Sequence, residues 1–268
     1  MKKFGIWLIA FIITIAAAVY QRLTGPTYPV RGKALLADSL IHYRLNRSHG
    51  GEKDYEVAIK VDNRNITGSV QYKRYKTDDP WITLPMTRKE DQLTAKLPHQ
   101  PPAGKLEYKV ILSHEEDQVL LAGEEPVIIR FRGDVPPFIL IPHAIIMFLA
   151  MLFSTRAGIE ALRPKANPRK YALWTFILLF IGGIILGSIV QKLAFGAFWT
   201  GFPIGYDLTD NKTLIALIGW LVAVIAGRGG KPARWWVLGA AILLLVVYLI
   251  PHSLLGSELD YSQMNPSP

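Results

Sequence analysis

Five apolar runs, at residues 4–20, 138–153, 171–190, 213–227 and 235–250, constrain this 268-residue chain more than any other feature. The hydrocarbon core of a bilayer is about 30 Å thick and takes roughly 20 apolar helical residues, with about 17 as a lower limit. The first, third and fifth runs reach that range, alone or with their flanks. The second does so once residues 135–142 and 157–162 are counted. The pattern predicts five membrane spans.

Charge placement orients them. The formal net charge is +9, yet residues 22–135 carry nearly balanced acids and bases. The excess sits at Lys2 and Lys3, at Arg156, Arg163, Lys165, Arg169 and Lys170, and at Arg228, Lys231 and Arg234. Cytoplasmic loops of membrane proteins collect Lys and Arg in this way. The basic charge therefore reads as topology, and no nucleic-acid partner is expected. The N-terminus, residues 156–170 and residues 228–234 lie inside. Residues 22–135, the stretch 195–213 and the C-terminus lie outside. The expected setting is a multi-pass protein of a bacterial inner membrane, with the lipid bilayer as its first partner. With no Cys, disulfides, thiolate metal sites and a Cys nucleophile are excluded.

The fold expected is an N-terminal transmembrane helix, an exported immunoglobulin-like β-sandwich and a four-helix transmembrane unit. Residues 1–21 have the basic and apolar regions of a secretory signal, with Ala16-Ala17-Ala18 as a cleavage candidate, and read as an uncleaved anchor or a signal. Residues 22–135 form the β domain. Tyr55, Val57, Ile59 and Val61 alternate with Glu56, Ala58 and Lys60, the period of a half-buried strand. Leu106 to Leu112 and Val127 to Phe131 repeat it. Turns are expected at His49-Gly50-Gly51, Asp78-Asp79-Pro80, Pro98 to Gly104 and Ala122-Gly123. The run Ala103-Gly104-Lys105-Leu106-Glu107-Tyr108 resembles the approach to a late strand of immunoglobulin-like or fibronectin-type domains. Residues 136–256 form the helical domain and 257–268 an exported tail.

No nucleophile and base stand in a recognisable set, so no catalytic residue is assigned. His42, His49, His99 and His114 are scattered without a metal-ligand spacing. Glu115-Glu116-Asp117 reads as a solvated hairpin tip. No acid or base is expected in the middle of a span, which argues against an ion pathway. Gly183 and Gly187 have the small-xxx-small spacing that lets helix backbones approach closely.

The link between the third and fourth runs is the least ordinary. It holds Phe195-Gly196-Ala197-Phe198-Trp199, then Tyr206-Asp207-Leu208-Thr209-Asp210, ahead of an apolar run with Trp220-Leu221. This resembles the tryptophan-rich WWD segment of haem-handling membrane proteins that act in cytochrome c maturation and synthesis. Phe195 stands where that family has Trp, and residues 200–205 read as an insertion. Apart from this segment, the chain resembles bacterial envelope membrane proteins.

The resemblance implies haem b, or another redox cofactor, at the outer surface. His143 and His252, at the outer ends of flanking spans, would be the metal ligands. Phe198, Trp199 and Tyr206 would make the platform, and Asp207 and Asp210 would order the loop. Haem is a flat apolar disc with two carboxylates, which two neutral imidazoles can hold by its iron; Lys192 or Lys212 could meet a propionate. Blander roles stay open. Asp207 and Asp210 both stand where a helix needs an N-cap, and His143, with Pro142 in the first turn, could face headgroups. The alternative function is a non-enzymatic accessory subunit whose β-sandwich docks an envelope protein complex.

Overall fold

In the computed structural model, residues 3–163, 167–228, 233–251, 254, 256 and 258–263 are described. The chain divides into a helical unit, Met1–Pro26 with Val135–Ser257, and a β unit, Thr27–Asp134 with Glu258–Pro268.

In the β unit, β1 (Val30–Leu36) and β2 (Ser39–Leu45) form a hairpin. Ala37 and Asp38 close it, both at positive φ (49° and 58°), as a two-residue turn matched to strand twist requires. A six-stranded sheet runs β3 (Ser48–Gly50), β11 (Val127–Arg132), β9 (Lys105–His114), β5 (Thr67–Arg74) and β6 (Ile82–Pro85). Its sixth strand, β10 (Asp117–Leu121), pairs with the second half of β9. A three-stranded sheet holds β4 (Tyr55–Lys60), β8 (Gln92–Leu97) and β7 (Thr87–Lys89). Every pairing is antiparallel except β3 with β11.

The three sheets share one core. Leu45, Val57, Ile59, Val70, Leu97, Leu106, Tyr108, Leu112 and Phe131 are buried in it, and their alternation along β4 and β9 is the pattern read in the sequence. Full burial of such side chains stabilises by about 1.5–3 kcal/mol each. The turn expected at residues 49–51 is partly strand. His49 and Gly50 pair in β3 with Phe131 and Arg132, and only Gly51 (φ 87°) turns the chain.

The last described residues belong to this unit too. Tyr261 is buried, and its hydroxyl accepts from the Lys105 N–H at 2.9 Å and lies 3.0 Å from Gln100 Oε1. Glu258 meets Lys105 Nζ at 2.6 Å and Lys76 Nζ at 3.0 Å. Gly104 leaves room for the ring, since a Cβ there would stand 2.9 Å from the Tyr261 hydroxyl.

The helical unit contains α1 (Lys3–Thr24), α2 (Pro137–Leu162), a long third helix, α5 (Leu208–Ala226) and α6 (Arg234–Leu249). The third helix comprises α3 (Arg169–Leu179), a π-helical stretch Phe180–Leu186, and α4 (Gly187–Phe195). Among the described residues, four helices are long and apolar enough to cross a membrane: Phe4–Thr24, Pro137–Leu162, Arg169–Phe195 and Leu208–Ala226. The fifth apolar run gives a shorter helix, α6, of 16 residues. It stops where Ile250 turns extended (φ −69°, ψ 119°), the conformation favoured before a proline such as Pro251.

Two sequence expectations change. The second helix begins at Pro137, so Pro142 is inside it and His143 is its seventh residue. Arg156 is not in a basic loop: it is buried within α2, ion-paired with Glu160 and stacked over the Tyr171 ring at 4.3 Å. Arg163 meets the other oxygen of Glu160 at 3.0 Å. A buried guanidinium needs such partners, because an unpaired charge there is very costly.

Glycines set the helix spacing. A Cβ on Gly182 would stand 2.9 Å from Ile146 Cγ2, and one on Gly183 only 2.7 Å from Thr213 Cγ2. The adjacent pair thus admits α2 on one side and α5 on the other. Gly187 has looser surroundings, with His143 Cε1 at 3.6 Å from its ideal Cβ.

Candidate functional site

His143 is held from the third helix. Its Nδ1 lies 2.9 Å from the Gly182 carbonyl. A carbonyl only accepts, so Nδ1 carries the proton and the lone pair of the neutral ring is on Nε2. A carbonyl bound to the other ring nitrogen in this way is what fixes the tautomer and orientation of ligating histidines. Gly182 also accepts the Gly187 N–H, the five-residue spacing of π winding. One carbonyl thus serves both the π stretch and the imidazole.

The contact falls far along the third helix. Gly182 has thirteen residues on either side of it in the 27-residue helix Arg169–Phe195. His143 therefore meets the midpoint of an apolar helix rather than its outer end.

A cavity of 430 Å³ opens beside His143, lined also by Gln21, Met147, Lys212, Thr213 and Tyr248. Most polar groups of this lining donate to the protein itself. Lys212 Nζ donates to the Ile250 carbonyl at 2.8 Å, the Gln21 amide to the Tyr248 carbonyl at 2.8 Å, and the Thr213 hydroxyl to the Thr209 carbonyl at 2.8 Å. Lys212 is thereby tied to the negative end of α6. Among the described residues, His143 Nε2 has no hydrogen-bond partner, so it is the nitrogen left to meet a guest.

The loop after α4 is a separate construction. The Asp210 carboxylate accepts from the Thr200 N–H (2.6 Å), the Gly201 N–H (3.1 Å), the Thr200 hydroxyl (3.2 Å) and Gln191 Nε2 (3.1 Å). Asp207, not Asp210, is the N-cap of α5, its side chain accepting from the Thr209 N–H at 2.7 Å. Asn211 Oδ1 accepts from the Phe202 N–H at 2.6 Å. Close packing explains two glycines: a Cβ on Gly201 would lie 2.6 Å from Asp210 Cβ, and one on Gly205 2.4 Å from the Thr200 carbonyl.

No family model, curated protein or solved structure matches the chain.

Of the candidate residues, Asp207 and Asp210 come together at the base of the loop, Asp207 capping α5 and Asp210 holding the Thr200 and Gly201 amides. Trp199 is tied within it, Nε1 donating to the Phe202 carbonyl at 3.0 Å. Phe198 and Tyr206 are exposed, and none of these five residues lines the His143 cavity. His252 lies outside the described residues. Lys192 is engaged, Nζ donating to the Gly196 carbonyl at 2.6 Å. Among the described residues no group of three or more His, Cys, Asp or Glu is placed to hold a metal. Sequence reasoning missed the Gly182 carbonyl, for which no sequence signal exists. It also missed Gln191, whose signal was a lone amide near the end of an apolar run.

Proposed function

We propose that this chain is an integral protein of a bacterial inner membrane whose helical unit holds haem, or a related redox cofactor, through His143. The N-terminus is inside, and the β unit, read as an immunoglobulin-like sandwich, is exported. The sidedness rests on the Lys and Arg that flank the apolar runs. The observation that carries the cofactor reading is the His143 imidazole. Its Nδ1 is bound to the Gly182 carbonyl, its Nε2 is uncommitted, and it lines a 430 Å³ cavity. That is the chemistry of an axial ligand, and a cavity of this size is in the range of cofactor sites. His252 is the second ligand in this reading. The aromatic loop does not line the cavity, so the ring would be held among the helices rather than on the loop. When bound, the group supplies one-electron chemistry; the chain's residues hold it and exclude water.

The test is an absorption spectrum of the full chain, expressed with ample haem and purified in detergent. A Soret band that is lost in His143→Ala supports the reading. Colourless wild-type protein overturns it.

A second reading rests on β6, the terminal strand of the six-stranded sheet. Ile82 and the preceding Trp81 are exposed, with Lys73 and Lys109 both within 6 Å of the Trp81 ring. An exposed edge strand with an aromatic anchor suits strand addition by a partner, here a protein of an envelope complex. A photo-crosslinker at Ile82 in the full chain, in its native membrane, should capture one defined adduct. Uncrosslinked protein throughout counts against docking at this edge.

A further inference from the structure

We propose that residues 196–206 form a rigid apolar tip that enters the interfacial layer of the bilayer. The proposal rests on the membrane-spanning reading of the helices on either side and goes beyond it, because a loop between spans ordinarily faces water.

Three observations carry it. First, the loop is turned inside out relative to a water-facing one. Its polar groups point inward: Asp210, Asn211, Thr200 and Gln191 bond one another and the backbone. Its large apolar side chains point outward. Phe198 is 58% exposed, Phe202 67%, Ile204 76% and Tyr206 94%. Residues 195–206 contain no charge. Apolar side chains left in water forgo the transfer free energy that burial would give, and four large ones stand exposed here.

Second, the exposure is built into the backbone. The amides of Thr200, Gly201, Phe202, Ile204, Gly205 and Asp207 all donate within the helical unit. The loop therefore has no slack with which to fold its rings inward.

Third, covalent continuity fixes what lies beside it. The loop joins Arg169–Phe195 to Leu208–Ala226, both long and apolar enough to cross a membrane. Aromatic rings favour the headgroup boundary at the ends of such helices. Lys192, exposed and 5.6 Å from the Phe198 ring, places an ammonium where a long cationic chain reaches headgroups. The occupant that fits an uncharged, aromatic, rigid tip at this position is lipid.

The absence of cysteine from the sequence makes the test clean. Single spin labels are placed at Ile204→Cys and Phe202→Cys in the full chain, reconstituted into phosphatidylcholine–phosphatidylglycerol vesicles. Collision with oxygen is compared with collision with a water-soluble nickel chelate. Ile218→Cys, on the exposed face of α5, and Glu115→Cys, in the β9–β10 turn, are the references. The expected oxygen-to-nickel ratio at 202 and 204 is several-fold above that at 115. A ratio at 204 equal to that at 115 places the tip in water and overturns the proposal. A label at 204 shielded from both reagents marks a protein contact and also overturns it. A lipid-exposed 218 with a water-exposed 204 rejects the tip alone. A water-exposed 218 rejects the spanning reading beneath it.

Discussion

Replacing Asp210 by Ala tests whether one carboxylate holds the loop. The side chain is 7% exposed and accepts two backbone N–H groups, one hydroxyl and one amide. Truncation leaves the Thr200 and Gly201 amides and the Thr200 hydroxyl without their acceptor, while Gln191 keeps the Thr200 oxygen. Each abandoned donor costs about 1–3 kcal/mol. Thr200 and the loop edge admit some water, so the low end applies, giving about 3 kcal/mol in all. At about 1.4 kcal/mol per decade, local opening of residues 200–201 becomes roughly a hundredfold more frequent. Hydrogen exchange in nanodiscs reads this as loss of protection at Thr200 and Gly201, with the Glu258–Tyr261 segment unchanged. Asp210→Asn keeps one carbonyl acceptor and should lose about tenfold. Gly201→Ala should open the same loop by another route, since its Cβ would lie 2.6 Å from Asp210 Cβ. Unaltered exchange at both amides in Asp210→Ala would refute the assignment of this carboxylate as the loop's anchor.

Other outcomes follow from buried contacts. Arg156→Met leaves Glu160 with only the half-exposed Arg163 and should cost about 1–3 kcal/mol, read as a lower thermal midpoint in detergent, while Arg156→Met with Glu160→Gln recovers part of the loss. Gly183→Val drives a branched side chain into Thr213 and should cost about 1–3 kcal/mol, whereas Gly239→Ala, with no atom within 4 Å of its Cβ, should not destabilise. Docking of the C-terminal segment should be confined to a pH window, followed by proteolysis or exchange of residues 258–263. Burial alone would raise the Glu258 carboxyl, but hydrogen bonds from Lys105 and Lys76 outweigh it and hold it below the ordinary carboxylate value. Its contribution is therefore present above the unfolded pKa and lost as pH falls through the folded one. Burial pushes Tyr261 up to about 12, so its contribution is full below 10 and lost as pH climbs through 12. Release in mild acid near pH 6, or none at either extreme, would contradict this.

Sequence pattern carried the regular parts of the molecule. Alternation marked β4, β9 and β11 because their inner faces enter a shared core, which leaves period two on the page. Apolar length marked the long helices. Pattern failed where the deciding partner is distant in sequence. Arg156 reads as part of a basic loop until Glu160 and Tyr171 are seen around it. Pro142 reads as a first-turn residue, but Pro137 takes that place, five residues after β11 ends at Arg132, with Pro136 as the cap. β3 was hidden by glycine, since its strand character comes from β11 alone. The tie of Tyr261 to Lys105 spans 156 residues and has no local signature. At the candidate site, residue types were legible but their grouping was not. Asp207 and Asp210 do meet around the loop base, while Phe198, Trp199 and Tyr206 do not line the histidine cavity.

The Gly182 carbonyl, which accepts from both Gly187 and His143, also governs rotational phase. A π stretch takes up extra residue length relative to α winding, and each α-helical residue turns the chain by about 100°. Rewinding Phe180–Leu186 as α-helix would swing everything after Gly187 around the helix axis. Gln191 would leave Asp210, and Lys192 would leave the side on which Phe198 stands. The imidazole that donates to this carbonyl therefore holds a helix at one angular setting, and that setting aims a loop some thirteen residues further along the chain.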